Sequence, residues 1–301
     1  MQSGVCGIQP VLNREQALQQ AQLFLHTIGC AQASEPLACA RALSPQQIEV
    51  RGIEPGNILT ADSRSFSYYP LAVDDGAFVS GVPQQQLQTD AKRAIPVLLG
   101  TTADEGSLFT GQIAFPRDAA AYERDLEQRF PGAGKALAMQ YPFAPQQPIG
   151  SAYARMFADA MEVCPTRRIA EQRANDAPVY LYQFAQSPSA PLLWLMQLRH
   201  GYDAVPLGVH HGAEIPYVFG SNTVVGHVWT REQRQTRKQL MRCWANFART
   251  GSPNAPGLPP WPVYTRDERA YLRIDSTPEV SRDLGGQTCA VWDAHPQFSF
   301  W

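Results

Sequence analysis

Ile95-Pro96-Val97-Leu98-Leu99-Gly100-Thr101 is followed, one residue on, by Ala103-Asp104-Glu105-Gly106. A continuous apolar run this short is the pattern of a parallel strand buried on both faces, and here an acid stands just past its carboxyl end. Pro178-Val179-Tyr180-Leu181-Tyr182-Gln183-Phe184 repeats the pattern with aromatic and β-branched residues. Between the two runs the spacing predicts helices over 117–129 and 151–174. Strand and helix in alternation imply an α/β fold with a mostly parallel central sheet flanked by helices.

Further along, Thr230 and Gln233 form a capping box for a helix carrying Leu240, Met241, Trp244, Phe247 and Ala248, which Gly251 stops. Tyr271 to Ile274 reads as one more strand and Cys289 to Trp292 as a final helix. On the other side, Asn13 is a good N-cap for a helix whose apolar positions are Ala17, Ala21, Phe24, Leu25 and Ile28, with Gly29 as its stop. Shorter helices are expected from Ser34 and Ser44, each with a proline in its first turn. From Pro55 to Pro83 the text is irregular, with a turn at Asp75-Gly76. Pro131-Gly132-Ala133-Gly134-Lys135 lacks the frame of a phosphate loop and reads as a helix connector. With no repeat, low-complexity tract or linker, residues 1–301 read as a single domain.

A chain of 301 residues, 44% hydrophobic, can bury a sizeable core. Its net charge of -2 is scattered, so no basic stripe suggests nucleic acid as a partner. No run reaches about 18 apolar residues, so no membrane span is expected. Met1-Gln2-Ser3-Gly4-Val5-Cys6-Gly7 lacks the basic start and apolar stretch of a signal peptide. Six cysteines contain no C-x-x-C pair, and neither metal nor cofactor is expected.

Ligands and chemistry in open α/β sheets gather at the carboxyl ends of the strands. Glu105 stands at such an end, and Val209-His210-His211-Gly212-Ala213-Glu214-Ile215 supplies a histidine loop after the later strand, with Gly212 small enough for close backbone approach. An acid followed by a histidine is the order in which α/β hydrolases place these two groups after their nucleophile. A metal site of His210, His211 and Glu214 lacks a further ligand at suitable spacing. Trp194, Leu195, Tyr217 and Phe219 read as packing residues.

The chain also resembles the type-B carboxylesterases, which include the cholinesterases and the non-catalytic neuroligins. The anchors are Gln2-Ser3-Gly4, Gly29-Cys30 to Cys39-Ala40-Arg41, Asp75-Gly76, Gly100 through Phe109, His211 through Gly220, Trp244 through Asn254, and Trp261-Pro262-Val263-Tyr264. The resemblance implies Glu105 as the acid of a Ser-His-Glu triad, His211 as its general base, His210 as a wall of the pocket, and Ser3 and Glu214 as groups that brace the site. It implies bridges between Cys30 and Cys39 and between Cys164 and Cys289, with Cys6 and Cys243 as free thiols. It also implies a small carboxylic ester as substrate and, through the bridges, a secreted or periplasmic home for the intact protein.

The family's nucleophile lies in a G-x-S-x-G elbow upstream of the Q-S-G segment, and its oxyanion hole in a Gly-rich run further upstream. No serine of this sequence lies in that pattern. Met1 reads as an internal methionine at the end of a strand, so the chain is expected to be the C-terminal part of an esterase, with the first strands and the elbow absent, and inactive alone. Two other readings stand beside this one: one half of a split enzyme completed by an N-terminal fragment carrying the serine, and a non-catalytic cholinesterase-like binding module.

Overall fold

The structure is a computed structural model that describes residues 1–4, 11–52, 72–81, 86, 94–110, 116, 118–144, 147–148, 150–188, 206–221 and 229–295. Cys6, Trp194, Leu195 and most of the Pro55–Pro83 segment lie outside the described residues. The chain divides into two compact units, residues 9–86 with 300–301, and residues 1–8 with 87–299.

The smaller unit holds helices α1 (Arg14–Thr27), α2 (Pro36–Ala42) and α3 (Pro45–Gly52). Asn13 caps α1 as its sequence predicts, accepting from the Gln16 amide while the Gln16 side chain accepts from the Asn13 amide. Ser44 and Gln47 repeat that exchange at the start of α3. The apolar side of α1 is half-buried at Ala17, Phe24 and Leu25, while Ala21 is exposed. Ile28 and Cys30, just past the helix, are each 1% exposed. Cys30 is bridged to Cys39, and the Asp75 carboxylate accepts from the amides of Ala77, Phe78 and Val79, which forms the expected turn.

The larger unit is built on a sheet of order β1 (Val97–Thr102), β2 (Val179–Phe184), β3 (Ala270–Ile274) and β4 (Glu279–Arg282). The first three strands are parallel and β4 turns back antiparallel. Gln2 bridges Gly100, and the Ser3 amide donates to the Gly100 carbonyl at 2.9 Å, so this segment runs beside β1. The connection from β1 to β2 carries α4 (Ser107–Thr110), α5 (Ala119–Arg129), α6 (Gly134–Gln140), α7 (Gly150–Ala158), a π-helical turn (Asp159–Val163) and α8 (Cys164–Arg173). After β2 come α9 (Ile215–Phe219) and α10 (Arg231–Thr250), and α11 (Thr288–Ala294) follows β4.

Successive residues of a strand face opposite sides, and both sides of β2 are covered. Tyr180 and Tyr182 meet Phe247 and Trp244 of α10 edge-on, at ring separations of 6.1 and 5.2 Å. Leu181 and Val179 are fully buried, and α8 packs on β1 and β2. The chain therefore has the α/β architecture its sequence implies. Among the elements that the sequence pattern did not announce are β4, whose residues are mostly exposed, and α6, which starts inside the Gly-rich connector. On α10 the predicted face holds at Leu240, Trp244 and Phe247, but Met241 and Ala248 are exposed. Cys164 and Cys289 are bridged across 125 residues of sequence, and Cys243 is buried and free.

Candidate active site

β1 delivers Glu105 to the carboxyl edge of the sheet, where its side chain is wholly buried. Three donors converge on it. The Ser3 hydroxyl donates to Oε1 at 2.5 Å, the Thr102 amide donates to the same oxygen, and the His211 ring donates Nδ1–H to Oε2 at 2.7 Å. Such convergence stabilises a carboxylate. It also fixes the imidazole as the Nδ1–H tautomer, which leaves Nε2 free to take a proton.

The histidine loop is stitched to the end of β1 by Asp104. Its amide donates to the Val209 carbonyl at 3.0 Å, and its Oδ2 accepts from the Val209 amide at 2.7 Å. The Ser107 hydroxyl adds a bond to the Leu207 carbonyl at 2.7 Å. Gly212 adopts φ +81°, a conformation that L side chains rarely take. A Cβ there would meet nothing closer than 3.4 Å, so the glycine serves the turn and not the close approach its sequence suggested. His210 turns away, giving its Nδ1–H to the His211 carbonyl at 3.0 Å. Burial lowers its pKa, so it sits neutral at pH 7.

Burial also pulls the His211 pKa down, but the hydrogen bond and charge of Glu105, joined by Glu162 and Glu214, outweigh it and raise the net value. Glu214 is 1% exposed, and its Oε1 accepts a 3.4 Å bond from the Gln2 side-chain Nε2. Burial, more than any neighbour, raises its pKa. Ser3 holds a left-handed backbone, φ 42°, unusual for a residue with a side chain. Such a conformation costs about 1 kcal/mol or more and persists only where the surroundings enforce it; here the bonds to Gly100 and Glu105 do so.

The structure thus brings together Ser3, Glu105, His211 and Glu214, the residues the sequence singled out. Glu162 also enters this cluster, although sequence reading passed over it. The available signal was an acid continuing, at a spacing of four, the line of Ala154 and Ala158 on a buried helix face. Among the described residues no three His, Cys, Asp or Glu side chains are grouped as metal ligands. A cavity of about 780 Å³ opens nearby, with Asp104, Ser107, Gln183, Arg155 and Thr288 among its walls, but neither Glu105 nor His211 lines it.

The closest joint in the site is Gly106. A Cβ placed there would stand 1.9 Å from the Ala154 carbonyl oxygen, a backbone atom that cannot swing aside. Gly106→Ala is expected to separate α7 from the end of β1 and to destabilise the protein by about 3 kcal/mol. A urea melt reads this loss, and a midpoint equal to that of the parent would show that the joint yields.

A sequence model of the carboxylesterase family matches residues 1–292. The chain belongs to the carboxylesterase family. It is 31% identical to human cocaine esterase over 81% of its own length and 44% of the relative's. It is 30% identical to acylcarnitine hydrolase of Rattus norvegicus over 97% of its length and 51% of the relative's. Acetylcholinesterase of Bungarus fasciatus is 29% identical over 91% of the chain and 46% of the relative. The chain spans about half the length of these curated relatives. The spacing by which this carboxylesterase chain resembles the family, acid at the end of β1 and histidine beyond β2, is the spacing that closes into the 2.7 Å pair.

Proposed function

We propose that this chain supplies the acid and the base of a serine carboxylesterase and needs a serine-bearing N-terminal segment to complete it. The observation that carries the reading is the buried Glu105 carboxylate on His211 Nδ1, braced by Ser3, at the carboxyl edge of a parallel sheet. The serine hydroxyl gives its proton to His211 Nε2 as it attacks an ester carbonyl. His211 returns the proton to the departing alcohol, and water repeats the cycle to release the acid. Glu105 holds the ring in its productive tautomer and stabilises the imidazolium formed at each step.

The substrate class is a small carboxylic ester. Cocaine and acylcarnitine, which the names of two relatives cite, are both carboxylic esters of unlike shape, and this supports the bond type without fixing the acid or the alcohol. Two disulfides favour folding in an oxidising compartment, secreted or periplasmic. No described helix is long and apolar enough to cross a membrane.

The test is hydrolysis of p-nitrophenyl acetate by the 301-residue chain alone and by the chain complemented with an N-terminal fragment carrying a Gly-rich run and a G-x-S-x-G elbow. The chain alone is expected to be inactive, and the complemented enzyme is expected to turn over and to lose activity with His211→Ala. Activity of the chain alone that His211→Ala abolishes would mean that another serine is the nucleophile. Absence of activity in a complex that demonstrably assembles would favour the binding-module reading.

A further inference from the structure

The helical stretch over 151–174 opens for one wide turn, Asp159–Val163, before closing again into α8. Such π-turns insert a residue into a helix, and they are frequent where a side chain must be re-aimed at a functional site. This one carries Glu162, which is 7% exposed and whose Oε2 has no hydrogen-bond partner among the described residues. The next turn is pinned, since Cys164 is bridged to Cys289. The wall that bears Glu162 is locked to the site at two points. Gly106 abuts Ala154 with no room for a Cβ, and the Phe109 ring lies 4.9 Å from Phe157 and 5.1 Å from His211.

A buried carboxyl with an unmet oxygen is costly to the fold. Its neighbours are the site itself: Glu105, His211 and Glu214 act on Glu162, while Glu105, Glu162, Glu214 and His210 act on His211. The charges of Glu214 and Glu105 also act on the Tyr182 hydroxyl of β2, and that of Asp104 acts on His210.

We propose that Glu162 is a positioning residue of the site, a third carboxyl set in its wall that governs how firmly His211 holds a proton. The inference rests on His211 being the general base. Burial, and after it the charges of Glu105 and Glu214, push the Glu162 pKa up to about 8 against the opposing pull of His211. Glu162 is therefore mostly protonated at pH 7. A protonated His211 favours the ionised form of Glu162, and that form in turn favours the imidazolium, so the two titrate as a coupled pair.

The test is an NMR titration of the His211 ring in the full chain, with Glu162→Gln, Glu162→Asp and Glu105→Gln alongside. The parent is expected to show a second inflection near pH 8, where Glu162 ionises. Glu162→Gln should remove that step and lower the His211 midpoint by about half a pH unit, while Glu162→Asp keeps both. Glu105→Gln should lower the midpoint by about a unit or more, since it removes the dominant partner. If Glu105→Gln shifts His211 and Glu162→Gln does not, Glu162 is a packing residue and the inference fails. If Glu105→Gln leaves His211 unmoved, it is the triad reading that fails.

Melting supplies a second readout that needs no assigned resonance. The folded pKa of Glu162 lies above its unfolded value, so its neutral form stabilises the fold below about pH 4.5 and that contribution is lost as pH rises through about 8. Glu162→Gln, which cannot ionise, should melt at the parent's temperature at pH 5 and above it at pH 9. Parallel melting curves at both pH values would also overturn the assignment.

Discussion

Glu105→Gln in the complemented enzyme is expected to lower kcat for p-nitrophenyl acetate by about 10⁴-fold, with KM nearly unchanged. The side chain is fully buried and reaches the reaction only through His211, so substrate binding has no direct stake in it. An amide in its place can present N–H to the ring where the carboxylate presented an acceptor. The imidazole then favours the tautomer with its proton on Nε2, which cannot take one from serine. The Ser3 hydroxyl and the Thr102 amide keep the replaced group in position, so the loss measures tautomer and charge and not misfolding. Activity within tenfold of the parent would show that Glu105 is a structural acid.

Removing the long bridge, with Cys164→Ala and Cys289→Ala together, is expected to destabilise the larger unit by about 4–5 kcal/mol. The bridge closes 125 residues of sequence, whereas Cys30–Cys39 closes 9. Chain entropy makes the longer closure the stronger restraint, and the same relation gives about 2.5 kcal/mol for the shorter one. Part of the loss is mechanical: α11 also rests on Trp292, whose indole N–H donates to the Tyr141 hydroxyl at 2.9 Å and whose ring meets Phe130 edge-on at 5.6 Å. Urea melts of both double variants measure the difference. A loss below about 1 kcal/mol would mean that these aromatic contacts already hold α11 in place.

What the residues could disclose depended on whether the governing interaction was local. β1 and β2 were legible because a strand covered on both faces must be apolar throughout. The ends of α1 and α10 were legible because their caps lie within three residues of the groups they satisfy. β4 was not, since its residues pair with β3 while facing water and leave no apolar trace. The π-turn was hidden for another reason: it changes hydrogen-bond partners without changing residue types, so residues 151–174 read as one uninterrupted helix. Glu105 and His211 could be placed by motif and order. The Gln2–Glu214 bond, across 212 residues, and the place of Glu162 beside Glu105 and the histidine loop depend on chain closure that no local pattern records.

The same separations bear on how the protein reaches this state. β1 meets β2 in a register that joins Val97 to Val179, and Glu105 meets His211 across 106 residues. Loop-closure entropy must be overcome before contacts so remote in sequence reward the chain, and topologies dominated by them fold slowly. The helices over 119–173 have local contacts to grow on, but the Glu105–His211 pair has none until β1, β2 and the histidine loop have docked. Closure of the Glu105–His211 pair is thus a late event in refolding, and the ring proton of His211 is a clock for it.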